Sequence, residues 1–141
     1  MYTIEFQKHG LSHAHLILFL HAADKYPTPN DIYRIISTEI PCLQSDKHLH
    51  DLVKTHMIHG PCGSANKYFP CMKNGKCSRY HPKKFQQQII IEQDGFATYK
   101  RTDNGRTLIK GGVSIDNHSV VPYNTWLLLR YKAHINIEWC N

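Results

Sequence analysis

No run of apolar residues in this sequence is long enough to cross a bilayer, so a membrane-spanning helix is not expected. There is no glycine-rich loop of the GxxxxGK form, which sets aside the P-loop nucleotide hydrolases. Internal repeats, heptads and low-complexity tracts are missing too. The five cysteines are odd in number and include no Cys-x-x-Cys pair, so neither a closed disulfide framework nor paired zinc knuckles account for them. Most telling, residues 52–91 contain no aspartate or glutamate. Basic side chains there have no acidic partner within their own segment.

What is present is basic and rich in histidine. The 141 residues suit a single domain, with 17 lysines and arginines against 11 acids and a formal charge of +6. That balance favours a polyanionic partner, nucleic acid first, and no membrane. Cysteines without a disulfide pattern fit a nuclear or otherwise intracellular, reducing compartment, where they read as metal ligands or buried thiols. Eleven histidines, several beside cysteines, point the same way.

The apolar patterning predicts an α+β fold with a mostly antiparallel sheet, two to three helices and a Cys/His-rich loop. "YTIEFQ" alternates as a strand, and "KHGLS" connects it to "HAHLILFL", whose unbroken apolar run predicts a central, buried strand. "TPNDIYRIISTEIP" predicts a helix capped by Thr28, with Pro29 at its first position and Pro41 ending it. "SDKHLHDLVKTHMIHG" predicts a second, with Leu49, Leu52, Val53, His56 and Met57 on one stripe and Gly60 as C-cap. Strand-like pieces with turn signals from "QQQIIIEQ" to "VSID" read as a β-meander. "NTWLLLRYK" predicts a helix capped by Asn124, and "AHINIEWCN" a closing strand.

Three groups of residues carry chemistry. His13 and His15 sit two apart on a strand and therefore share a face, as two ligands of one ion must. Glu5, eight residues upstream on the neighbouring strand, supplies a carboxylate suited to a divalent ion with open positions. The second group is "HMIHGPCGSANKYFPCMKNGKC", where Cys62, Cys71 and Cys77 with one histidine, His59 or alternatively His56, make a zinc-like donor set. Third, Lys67, Lys73, Lys76, Arg79, Lys83 and Lys84 interleave with Tyr68, Phe69, Tyr80 and Phe85, a mixture suited to phosphate contacts and base stacking on single strands.

The stretch "EFQKHGLSHAHLILFL" is similar to the His-hydrophobic-His signature of rolling-circle replication initiators, and closer to the version in Helitron transposases. "HMIHGPCG", "PCMKNGKCS", "DNGRT", "VVPYN" and "LLLRYKAHINIEWCN" resemble stretches of the Helitron helicase-like amino-terminal domain. The resemblance runs over essentially the whole chain. His9 stands where the family usually has arginine and Ser12 where it has proline.

This resemblance implies a single-strand DNA endonuclease in which Mg²⁺ or Mn²⁺ polarises the scissile phosphate while a tyrosine attacks. Carried over, His13 and His15 are ligands, with Glu5 as third and Gln7 as its competitor. The family's tyrosine pair follows the segment matching "HINIEWCN". The expectation is therefore a partial domain over 1–141, with a Cys/His-rich basic insert at about 56–84 and no catalytic residue within it. Tyr123 and Tyr131 are expected to be structural. The competing reading is a zinc-stabilised nucleic-acid-binding module with a vestigial histidine pair.

Overall fold

The structure is a computed structural model that describes residues 2–6, 12–26 and 28–140, with side chains described from Ala14 onward. It has the expected α+β class, with short antiparallel strand pairs and three α-helices among the described residues. Strands β1 (Tyr2–Phe6) and β2 (Ser12–Leu16) pair first. Helices α1 (Pro29–Ile35) and α2 (Lys47–His56) follow. Then come three hairpins: β3 (Met72–Lys73) with β4 (Lys76–Cys77), β5 (Ile90–Ile91) with β6 (Ala97–Thr98), and β7 (Leu108–Lys110) with β8 (Val113–Ile115). Helix α3 (Thr125–Tyr131) comes last. No described helix is long and apolar enough to cross a membrane.

The caps follow the local chemistry. The Thr28 hydroxyl accepts from the Asp31 N–H at 3.2 Å, and the Asp31 carboxylate accepts from the Thr28 N–H at 3.3 Å, a reciprocal box closing the start of α1. Asp46 accepts from the Leu49 N–H at 2.9 Å, and Asn124 from the Leu127 N–H at 3.0 Å.

Five sequence expectations are corrected. Helix α1 stops at Ile35, well before Pro41, because Ser37 exchanges two backbone hydrogen bonds with Tyr123, at 2.8 and 2.9 Å, and that pairing needs extended backbone. Met57, not Gly60, is the C-cap of α2, since residues 57–59 leave the helix to pair with 119–121. The β-meander is two separate hairpins. The closing strand reduces to one bridge, Phe96 with Cys140, because Ile137 and Trp139 turn in against the core instead. Among the described residues the His-x-His strand pairs only with β1, so it is not central; it ends at Leu16, and residues 14–20 are exposed.

Among the described residues, two apolar clusters hold the fold. The larger joins the buried face of α2 (Leu49, Leu52, Val53, with Met57 and Ile58 after it) to Leu108, Ile115, Val120, Tyr123 and Leu128. The smaller joins Ile32 and Ile36 to Ile89 and Tyr99. Polar residues clamp the chain between them. Buried Asn117 accepts from the Ile40 N–H at 2.7 Å and donates to the Thr102 carbonyl at 2.8 Å. The buried Arg101 guanidinium donates to the carbonyls of Asn117 and Val120 at 2.7 and 2.6 Å. Among the described residues, no buried side-chain nitrogen or oxygen lacks a partner, as a stable interior requires.

This frame positions the Cys/His-rich loop. Its entry is tied down where the His59 N–H donates to the Ser119 carbonyl at 2.8 Å, and its exit where the Lys83 N–H donates to the His118 carbonyl at 2.9 Å. Both ends therefore hang from one short segment beside the larger core.

Candidate metal centre and its basic rim

Residues 60–82 contain two strands of two residues each and no helix, so backbone pairing contributes little to holding them. Two glycines shape the loop. Gly60 has φ +94°, and a Cβ there would meet the Cys62 backbone nitrogen at 2.8 Å, so only glycine lets Cys62 fold back under the chain. Asn74 and Gly75, at φ +50° and +74°, make the two-residue turn between β3 and β4, with φ positive at both positions as a type I′ hairpin turn requires. That hairpin brings Cys77 back beside Cys71.

The result is a convergence of four donors. One ligand atom each from His59, Cys62, Cys71 and Cys77 lies within 4.8 Å of all the others. The Cys71 and Cys77 sulfurs are 3.6 Å apart, and the His59 Nε2 is 3.3 Å from the Cys77 sulfur. Tetrahedral ligands at ordinary zinc bond lengths would sit roughly 3.8 Å apart for two sulfurs and roughly 3.6 Å for sulfur and nitrogen. The donor set therefore fits one four-coordinate ion. His56 is not part of it: as the last residue of α2 it precedes the turn that carries His59 inward, and its carbonyl faces the His134 ring at 2.7 Å.

The electrostatics suit a cation. Burial, reinforced by Arg79 and Lys83, holds the His59 pKa below its usual value, so the ring stays neutral with a lone pair to offer. Burial, with hydrogen bonding to Cys71, pushes the Cys62 thiol up to about 12, and burial raises Cys71 too. Burial also acts to raise Cys77, but the backbone amides of His81 and Arg79 outweigh it and leave that thiol lowered. Crowded thiols of this kind lose their protons when a divalent ion supplies the compensating charge.

The residues that support the cluster have a role the sequence did not assign to them. His81 stacks on His59, with ring centroids 4.1 Å apart, and Phe69 meets the same ring edge-on at 6.0 Å. Phe85 stacks on His118 at 3.7 Å. Of the four aromatics interleaved with the basic residues, Phe69 and Phe85 are therefore internal supports. Tyr68 and Tyr80 stand 97% and 81% exposed. Tyr80 adopts φ +56°, a left-handed conformation unusual for a ring-bearing residue, and Lys83 Nζ lies 5.8 Å from the ring centroid.

The basic residues form a rim. Lys67, Lys73, Lys76, Arg79 and Lys84 are exposed and Lys83 is half-buried. Lys73 and Lys76 are paired directly across the β3–β4 hairpin. Like charges in opposed positions cost stability.

Of the histidine pair, His13 is described only by its backbone. In the β1–β2 register Glu5 lies opposite His13 and Thr3 opposite His15. Opposed positions of an antiparallel pair share a face, and so do positions two apart on one strand. The side chains of Glu5 and His13 and all of Gln7 lie outside the described residues; His15 is exposed. Tyr123 is buried, its hydroxyl donating to the Glu39 carbonyl at 3.0 Å and its pKa pushed by burial up to about 12, so it serves the core. Tyr131, expected to be structural from its apolar run, is 60% exposed at the end of α3, whose buried residue is Leu128.

Compared with known proteins, the chain matches no protein-family model, and no curated protein matches it closely enough to count as a relative.

Proposed function

We propose that this chain binds single-stranded DNA through a loop held by a structural zinc ion, as part of a Helitron-type endonuclease domain. One observation carries the reading: the four-donor cluster of His59, Cys62, Cys71 and Cys77 lies within a stretch free of acids, whose hairpin sets Lys73 opposite Lys76. A fold keeps such a repulsive pair, without counter-charge in its own segment, where a polyanion relieves it. Three thiolates and one imidazole are the donors of structural zinc sites. The exposed rings of Tyr68 and Tyr80 add surfaces on which bases stack. The Helitron assignment rests on the sequence motifs.

The test is to measure zinc by elemental analysis of the purified chain, then its affinity for a labelled oligo(dT) before and after chelation. The reading requires one zinc per chain and a large loss of affinity on chelation. A metal-free chain that binds DNA unchanged would refute it.

A second reading concerns another ion. The register that sets Glu5 opposite His13 favours Mg²⁺ or Mn²⁺ held by Glu5, His13 and His15, with free positions for a phosphate oxygen. Such an ion would serve strand cleavage, whereas the zinc would serve only the shape of the loop.

A further inference from the structure

A groove of about 350 Å³ lies where the end of α1 meets the start of α3, lined among others by Tyr33, Arg34, Ser37, Asn124, Trp126 and Leu129. Its walls are fixed by bonds between the two elements. Ser37 and Tyr123 exchange backbone hydrogen bonds, and the Asn124 amide donates to the Ile35 carbonyl at 2.8 Å while its oxygen caps α3. Two large aromatic side chains open onto this rigid floor and belong to neither apolar cluster: Trp126, 65% exposed, and Tyr33, 47% exposed.

The surroundings are cationic. The Lys100 ammonium sits 4.5 Å from the Tyr33 ring centroid, Arg34 lines the groove, and the exposed Arg130 is one helical turn from Trp126 on the same face of α3. Among the described residues none of Arg34, Lys100 and Arg130 forms a salt bridge. Exposed indole and phenol rings with unneutralised arginine and lysine around them match a ligand that is flat, aromatic and anionic.

We infer that this groove is a base-stacking subsite for single-stranded nucleic acid, a second contact for the strand held by the basic loop. The inference rests on the DNA-binding reading and extends it to a surface outside the metal-centre segment. The segment that anchors the basic loop runs directly into the groove. Ser119 accepts the hydrogen bond that anchors His59, and Asn124 lines the groove; the five residue steps between them span at most about 18 Å even fully extended. One strand occupying a site of about 4–16 nucleotides can touch both. Trp126 supplies the stacking face, Tyr33 with Lys100 a second face, and Arg34 and Arg130 the phosphate contacts.

The test uses the full chain with its metal and oligo(dT) of about twelve nucleotides, a length inside that range. The chain has two tryptophans, and Trp139 is half-buried against the smaller core cluster, so quenching on DNA addition reports mainly Trp126. Stacking predicts quenching, an affinity loss of roughly 5- to 150-fold in Trp126→Ala, and recovery of most of it in Trp126→Phe. Metal content should be unchanged in both variants. If Trp126→Ala binds within twofold of the parent while Lys73→Ala with Lys76→Ala still weakens binding, the groove is not a subsite and the loop reading stands. If the parent chain does not bind the oligonucleotide at all, both fall.

Discussion

The imidazole of His81 lies flat on that of His59, their planes within 14° of each other. The His81 Nδ1 lies 3.2 Å from the His118 carbonyl, and burial drives its pKa down to about 4, so the ring stays uncharged against its neighbour. With Phe69 against its edge, the His59 ring is confined to the orientation that aims Nε2 at Cys77. Supports of this kind set a ligand's orientation without touching the ion. His81→Ala should weaken metal binding roughly 10- to 100-fold, the range typical of lost outer-shell support. His81→Phe, which keeps a flat ring, should stay within a few-fold of the parent. Competition against a chromophoric chelator measures both.

Thiol chemistry gives a second check on the cluster. Cys42 and Cys140 lie outside it, the former half-buried and the latter exposed, while Cys62, Cys71 and Cys77 lie within it. A thiol reagent should modify Cys42 and Cys140 in the metal-bound chain and reach the other three only after chelation. Chelation should also lower the melting temperature, because metal-binding energy in such a site is folding energy. Rapid modification of all the thiols before chelation would mean that the cluster holds no ion.

Salt dependence reads the basic rim. If about four of the exposed lysines and arginine at 67, 73, 76, 79 and 84 engage phosphates, log K should fall against log salt with a slope of roughly −3, from about 0.7 per contact on single strands. Changing Lys73, Lys76 and Arg79 to alanine should flatten the slope to roughly −1. It should also raise the stability of the free chain slightly, since the opposed pair Lys73 and Lys76 is relieved. A slope unaltered by the triple change would place the phosphate contacts elsewhere.

Much of this was legible in the sequence, and the exceptions have physical causes. Caps at Thr28 and Asn124 were readable because a side chain two or three residues from its partner is a local matter. So were the three cysteines, whose residue type announces their chemistry. The fourth ligand needed tertiary information, since His56 and His59 are equivalent by spacing until the chain turns at Met57 toward Ser119. The early end of α1 was hidden for a similar reason: Ser37 pairs with Tyr123, far away in sequence. The stack of His81 on His59 joins residues on opposite sides of the loop. The exposure of Leu16–Leu20 ran against the pattern, because an apolar run predicts burial only where other elements cover it, and here the described residues do not.

Asn117 ties three segments together and has no apolar counterpart in the sequence pattern. Its amide serves the Ile40 N–H and the Thr102 carbonyl from a site 1% exposed. Asn117→Ala would leave both groups buried without partners, at about 1–3 kcal/mol each. A loss of roughly 2–5 kcal/mol is expected in denaturant unfolding, with no change in metal content of the folded fraction. Asn117→Asp, which keeps the acceptor for Ile40 but turns a carboxylate oxygen on the Thr102 carbonyl, should lose at least as much at neutral pH, because a buried charge is then added to the missing donor. A variant as stable as the parent would mean that solvent reaches these groups.

The last prediction concerns the β1–β2 pair. Glu5 is opposite His13, and His15 lies two positions along, so the three occupy one face of the ladder. Ligands for one ion must converge from one face, and a carboxylate with two imidazoles leaves positions open on Mg²⁺ or Mn²⁺. Mn²⁺ should therefore bind at a site separate from the Cys/His cluster, and His13→Ala with His15→Ala should abolish that binding while leaving the metal content of the cluster intact. Glu5→Ala should weaken Mn²⁺ more than Gln7→Ala, because a carboxylate brings charge as well as a lone pair to a hard cation. The reverse order would make Gln7 the third ligand. Equal Mn²⁺ binding in the parent and the double histidine variant would show that the pair holds no ion, leaving the Cys/His cluster as the candidate metal centre among the described residues.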